Sequence, residues 1–196
     1  MFGGIVKTVG EIGKATPAGQ GLRVSVAARR LDLSDVKPGD SIAVNGVCLT
    51  VVRLKPGAFE AEVSKETLNS TSGFAKGDKV NLEKSLRLSD RVNGHLVSGH
   101  VDGVGKVAKF ERAGECYLLA VKAPRGLAKY ISRKGSIAVN GVSLTVNKAE
   151  GGEFSVNLIP HTLASTNLKY LKRGAKVNLE ADLLARYAER LLAKQR

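Results

Sequence analysis

The chain has 196 residues, 43% of them hydrophobic and 25% charged, with a formal charge of +13. That balance is globular and excludes a disordered chain. No stretch reaches the roughly 18 apolar residues of a membrane span. Met1–Val6 also lacks the basic-then-apolar pattern of a secretory leader, so a cytoplasmic protein with no membrane partner is expected.

The first unit opens with Ile5–Ile12, which reads as a strand. Gly19-Gln20-Gly21 marks a turn, and Leu22–Val26 alternates apolar and polar like a half-buried strand. Ala27–Asp35 has room for one helical turn before the Lys37–Asp40 turn. Ser41–Val51 follows, with Asn45-Gly46 at its centre, a strong hairpin signal because both residues tolerate positive φ. Phe59–Val63 alternates again, Glu66–Leu68 and the Ser/Thr residues after it read as a polar loop, and Val80–Glu83 closes the unit.

At Gly94–Asp102 the pattern begins again. Ser136–Val146 repeats Ser41–Val51 at ten of eleven positions, the one difference being Ser143 for Cys48. The same offset of 95 residues relates Gly4 to Gly99, Val6 to Val101, Phe59 to Phe154 and Thr67-Leu68 to Thr162-Leu163. In this copy Tyr117–Val121 is a strand, Pro124–Ser132 a short helix, Phe154–Ile159 a strand stopped by Pro160, and Val177–Glu180 the closing strand. Six short strands per copy, with frequent turns, predict an all-β chain of two tandem barrels. The units are 1–95 and 96–182.

The tail, 183–196, breaks the pattern. Leu184, Tyr187, Ala188, Leu191 and Leu192 share one face of an amphipathic helix, with Asp182 placed to cap it. That face packs either on its own barrel or against another subunit.

Equivalent strand ends carry unlike groups at Cys48/Ser143, Ile5/His100, Glu66/His161 and Ser85/Asp182, while Thr50/Thr145 is retained. Two sites of one shape and different reactivity suit a reaction between two similar molecules. Each residue also has a plainer reading. Cys48 can be core filling, His100 can close a turn, and Asp182 can be only a cap. Two cysteines, Cys48 and Cys116, at non-equivalent positions form no disulfide framework, and with three scattered histidines they give no metal-ligand spacing. The positive charge, spread over both copies, reads as a solvated surface. A nucleic-acid partner is the sharper alternative, weakened by 5% aromatics and the lack of a stacking motif. Gly94–His100 has too few features of a phosphate loop to cradle a nucleotide.

Met1-Phe2-x-Gly4-Ile5-Val6, Asn45-Gly46-x-Cys48-Leu49-Thr50-Val51, Gly94–Asp102 and Asn157-Leu158-Ile159-Pro160-x-Thr162-Leu163 resemble the riboflavin synthase family, along essentially the whole chain and in order. The resemblance implies two six-stranded Greek-key barrels and a C-terminal helix that assembles a homotrimer. It implies a cofactor-independent dismutation of two 6,7-dimethyl-8-ribityllumazine molecules to riboflavin and 5-amino-6-ribitylamino-uracil. Each site would lie between the N-terminal barrel of one subunit and the C-terminal barrel of the next, and association with lumazine synthase is a further partner it raises.

Carried onto this sequence, the resemblance makes His100 a candidate for proton transfer, Cys48 and Ser143 for nucleophilic or hydrogen-bonding roles, and Thr145 and Asp182 for the remaining catalytic groups. The ligands would be lined by Phe2, Gly4, Ile5, Val6, Ser41, Leu49, Thr50, Glu62, Val63, Ser64, Lys65, Glu66 and Thr67. From the second copy come Gly99, Val101, Lys134, Leu144, Asn157, Leu158, Ile159, Pro160, His161 and Thr162. Phe2 would pack over a ring at the N-terminal site. Gly3 stands where the family usually has Thr. A chromophore-holding lumazine protein is the related alternative, and loss of reactive groups in one copy would mark it. Such a loss is not visible here.

Overall fold

The computed structural model describes residues 1–193. The first copy folds as β1 (Thr8–Ala18), β2 (Gly21–Ala27), β3 (Ser41–Val44), β4 (Val47–Lys55), β5 (Ala58–Val63), α1 (Lys65–Ser70) and β6 (Lys79–Lys84). The second folds as β7 (Gly103–Ala113), β8 (Cys116–Lys122), α2 (Arg125–Ala128), β9 (Ser136–Val139), β10 (Val142–Thr145), β11 (Lys148–Glu150), β12 (Glu153–Leu158), α3 (Pro160–Ser165), a 3-10 turn (Asn167–Tyr170) and β13 (Lys176–Ala181). The last element is α4 (Leu183–Ala193).

Strands β1-β2-β5-β4-β3-β6 form a closed antiparallel barrel with Greek-key order. Its interior holds the alternate apolar side chains of each strand, among them Ile12, Val24, Ile42, Phe59 and Leu82, all buried. The second sheet has the equivalent order but stays open, as β10-β9-β13-β7-β8-β12-β11. The two barrels differ at one place. In β4 the residue Val52 is absorbed as a register shift between Val51 and Arg53. At the equivalent Asn147 the strand breaks into β10 and β11, and only the Asn147 N–H reaches across, to Ser155 O at 2.8 Å.

Both predicted hairpins form, with Asn45 (φ 51°), Gly46 (77°), Asn140 (47°) and Gly141 (77°) all in the left-handed region. These two turns meet at a pseudo-twofold axis. A Cβ on Gly46 would lie 2.7 Å from Gly141 N, and one on Gly141 2.7 Å from Gly46 N, so only glycine permits the contact. Around the axis, Asn81 Nδ2 donates to Asn140 O and Asn178 Nδ2 to Asn45 O, both at 2.9 Å. The buried polar network is completed by Asn167, which donates from Nδ2 to Asn45 Oδ1 and Lys79 O. The same axis passes the Phe2–Val97 bridge, in which each backbone N–H donates to the other residue's carbonyl. A satisfied polar network of this kind fixes one relative placement of two apolar cores.

Several local expectations are corrected. Ala27 ends β2 and residues 28–35 make turns and irregular loop rather than a helical turn, because Asp32 Oδ1 accepts the Ser34 N–H and closes a local loop. The polar loop after β5 is a helix, α1, capped by Ser64 Oγ accepting the Thr67 N–H at 3.1 Å. Pro160 not only stops a strand but starts α3. The helix predicted over 124–132 is confined to α2. The first strand begins at Thr8 rather than Ile5, because the preceding residues leave their own barrel.

Candidate functional site

Those leading residues build both candidate sites. Gly4, at φ +69°, turns the chain so that its carbonyl accepts the Ser143 N–H at 2.8 Å. Gly99, at φ +81°, does the same for the Cys48 N–H at 2.8 Å. Val6 then packs on the core of the second barrel, and Val101 on the core of the first. Each barrel is thus roofed by the leading segment of the other repeat.

Two buried glutamates hold these segments. Glu83, on β6, accepts the Gly3 N–H at 2.8 Å. Glu180, on β13, accepts the Ser98 N–H at 2.6 Å, the Ser98 hydroxyl at 2.7 Å and the Gly99 N–H at 2.9 Å. Burial pushes both carboxyls above their ordinary range, and the N–H groups of Gly3, Ile5 and Gly4 at Glu83, or of Ser98 and Gly99 at Glu180, oppose it. Gly3 is the counterpart of Ser98, so Glu83 lacks the hydroxyl bond that Glu180 receives. That is the structural consequence of glycine at this position.

At the first barrel, Cys48 is half-buried, while Thr50 is exposed and pairs in register with Ser41. Glu62, Ser64, Lys65 and Glu66 are exposed near the rim, Thr67 is half-buried, and His100 is exposed on the roofing segment. Glu62 is ion-paired with Arg23 at 2.5 Å. At the second barrel, Ser143 is half-buried and Thr145 exposed, with Asn157, Ile159, Pro160 and His161 exposed beyond them, Thr162 half-buried, and Ile5 and Val6 on the roof. Lys134 is exposed in the left-handed region (φ 68°), where its counterpart Gly39 has φ 97°. A side chain there costs about 1 kcal/mol.

Asp182 caps α4 through Oδ1, which accepts the Leu184 N–H at 3.0 Å. Leu49, Val63, Leu144 and Leu158 point into the cores, so only their backbone lies at a rim. Phe2 is wholly buried with Ala43, Val97 and Ala138, and it meets the first site only from beneath, against Gly99.

A residue outside the sequence-derived set joins the second site. His95 Nδ1 lies 2.7 Å from Ser143 Oγ, a side-chain pair spanning the two ends of that copy. Its Nε2 is buried without a hydrogen-bond partner among the described residues. Burial lowers the imidazole's pKa, opposed by the charge of Asp182. Only the Gly94–His100 motif pointed toward it, and the contact itself is invisible in sequence.

Two hollows of about 780 Å³ each lie to the side of these groups. One lies between Lys7–Glu11 and Lys169-Tyr170, and the other shares Ile5 and Ser41 with the candidate set. On the single chain Thr50 and His100 at the first candidate site and Thr145 at the second are exposed. Helix α4 is tied to the second barrel by ion pairs of Glu189 with Lys129 and of Arg186 with the nearly buried Asp102. Its residues Leu184, Tyr187, Leu191 and Leu192 remain 61–71% exposed. No helix among the described residues is long and apolar enough to cross a membrane.

Residues 3–85 and 98–182 each match the lumazine binding domain. The chain is 47% identical to riboflavin synthase of Photobacterium phosphoreum, over 98% of this chain and 89% of that one. It is 45% identical to riboflavin synthase of Photobacterium leiognathi, over 100% of this chain and 91% of that one. The chain belongs to the riboflavin synthase family. Its fold is also that of LumP complexed with riboflavin, with a TM-score of 0.85, 27% identity and coverage of 92% of this chain and 99% of that one. LumP complexed with 6,7-dimethyl-8-(1'-D-ribityl) lumazine gives a TM-score of 0.83 at the same identity. The duplicated domain accounts for the two equivalent candidate sites in one chain.

Proposed function

We propose that this riboflavin synthase family member catalyses the dismutation of two 6,7-dimethyl-8-ribityllumazine molecules, transferring a four-carbon unit to give riboflavin and 5-amino-6-ribitylamino-uracil. The observation that carries this reading is the pair of like-shaped sites with unlike reactive groups: Cys48 and His100 at one, Ser143 and Asp182 at the other. A chromophore holder has no use for this divergence, whereas a dismutase needs one lumazine to lose a proton and the other to be activated.

The lumazine 7-methyl is acidic because its carbanion is delocalised into the ring. His100, exposed on the first roof, moves that proton. Cys48 and Ser143 supply a nucleophile or hydrogen bonds to the two rings. Thr50 and Thr145 bind polar ring atoms, and the remaining rim residues, with Lys134, line the ligands. Face-to-face placement replaces a bimolecular encounter by a positioned one.

The reading includes a homotrimer in which the N-terminal barrel of one subunit faces the C-terminal barrel of the next. Two features support it: Thr50, His100 and Thr145 stand exposed on the single chain, and the apolar stripe of α4 is uncovered. The protein works in the cytoplasm, and association with lumazine synthase belongs to the same reading.

The decisive experiment incubates the pure protein with the lumazine alone and quantifies both compounds by chromatography. Two lumazines consumed per riboflavin formed is the expected result. Tight binding without product would instead indicate a chromophore holder. Removing the chain after Leu184 is expected to give monomers by light scattering with turnover lowered at least tenfold. A fully active monomer would sink the site between subunits.

A further inference from the structure

We infer that His95 and Ser143 form an imidazole–hydroxyl relay, in which His95 takes the hydroxyl proton of Ser143 at the C-terminal barrel's site. This inference rests on the dismutase reading above and assigns a residue that reading does not use.

Three observations carry it. First, His95 Nδ1 and Ser143 Oγ are 2.7 Å apart, hydrogen-bonding distance for transfer of the hydroxyl proton. Second, the pair is held rigidly. The Ser143 N–H is fixed on Gly4 O at 2.8 Å. Gly94, next to His95, packs so closely that a Cβ on it would lie 2.2 Å from Gly3 O and 2.8 Å from Ser143 Oγ. Third, the other ring nitrogen is buried with no partner among the described residues, so the contact with Ser143 is the ring's one side-chain hydrogen bond among them. A hydroxyl within hydrogen-bond reach of an imidazole is the general arrangement for activating a hydroxyl.

The repeat shows that this is not ordinary core filling. Cys48 stands where Ser143 does. The hydroxyl of the relay therefore differs between the two copies. The first barrel has the exposed His100 on its roof, whereas the second has Ile5 there and takes its imidazole from the linker. The imidazoles of His100 and His95 thus reach the two barrels from different places in the chain.

In this step Ser143 Oγ adds to an electrophilic ring carbon of the lumazine held at the second site. The new C–O bond forms as a ring C=N π bond breaks, its electron pair going to the ring nitrogen, and the hydroxyl proton of Ser143 passes to His95 Nδ1. Atoms and charge balance without any further reactant. Burial keeps His95 neutral at pH 7, the form that can accept. Of the groups around the ring, Asp182 is charged and favours the imidazolium, while Ser143, Gly3 and Gly94 carry no charge.

The test compares wild type, His95→Asn and Ser143→Ala with 6,7-dimethyl-8-ribityllumazine as substrate. Asparagine can place a hydrogen-bonding atom near the position of Nδ1 but takes up no proton. His95→Asn is expected to lower kcat about 100-fold or more, with KM within about threefold. It should also lose the acid limb of the kcat–pH profile below the ordinary histidine value of about 6.5. Ser143→Ala should remove the same limb and, combined with His95→Asn, add little further loss. Should His95→Asn fail to fold, as judged by thermal unfolding, Ser143→Ala carries the same pH readout. A His95→Asn kcat within threefold of wild type, or an acid limb retained in Ser143→Ala, overturns the relay. A wild type that binds lumazine and makes no riboflavin fails earlier, and that failure is one of the dismutase reading itself.

Discussion

Gly99→Ala is expected to destabilise the chain by about 3 kcal/mol, combining left-handed strain with overpacking and a lost hydrogen bond. Gly99 sits at φ +81°, and a Cβ there would lie 2.6 Å from Cys48 Cβ, 2.9 Å from Cys48 N and 3.0 Å from Phe2 Cε2. Neither Cys48 nor Phe2 can retreat cheaply, because Phe2 is fully buried and the Cys48 backbone is in a paired hairpin. The roof must lift, and the bond from the Cys48 N–H to Gly99 O goes with it. For a chain of this size the melting temperature should fall by roughly 6–12 °C. Binding of lumazine at the first barrel should weaken as well, since His100 is carried on the displaced segment.

The control is Gly19→Ala. Gly19 has φ +59° but nothing within 4 Å of its added Cβ, so only backbone strain of about 1 kcal/mol applies. Gly4→Ala should behave like Gly99→Ala, because its Cβ would meet Ser143 Cβ at 2.7 Å. Calorimetric melting of the three variants decides the matter. If Gly99→Ala melts within about 1 °C of Gly19→Ala, the crossed roof does not bear on stability.

Glu180→Gln should cost about 2–4 kcal/mol at pH 7, even though it removes a buried charge. The carboxylate accepts the Ser98 N–H, the Ser98 hydroxyl and the Gly99 N–H with its two oxygens. An amide offers one oxygen and turns an NH2 toward one of those donors, leaving a buried N–H facing another. The pH dependence follows from the direction of the shift. Burial raises the folded pKa of Glu180 above the ordinary value of 4.5. The stability linked to this group is therefore fully present below that value and is lost as pH rises through the folded pKa. Glutamine has no such slope, so the gap between wild type and variant should narrow as pH rises from 4 to 7. Urea unfolding at both pH values measures it. A variant as stable as wild type at pH 7 would mean that Glu180 does not hold the roof.

Much of the architecture is dictated locally. Ser41–Val51 and Ser136–Val146 each carry their hairpin in an Asn-Gly pair that accepts positive φ, and alternation along β2, β5 and β12 marks one face for a core. The tail helix is legible for the same reason, since its apolar spacing and the Asp182 cap are short-range features. The repeated motifs were also enough to point to the riboflavin synthase family. Only the tertiary structure decided which barrel each leading segment covers. Gly3–Val6 and Ser98–Val101 are short strand-like stretches whichever barrel they join, and their destination is set by Glu83, Glu180 and the close approach of two glycine backbones to distant hairpins. The same holds for Phe2, which the crossing buries on the pseudo-twofold axis, and for the second sheet, which opens at Asn147 while β4 runs through the equivalent Val52. His95 and Ser143 are 48 residues apart in the chain, and they become a pair only because the linker between the barrels is laid over the hairpin of the second. Local pattern fixes φ, ψ and which face is apolar; contacts between distant segments depend on how whole barrels pack, and no short window of sequence contains that information.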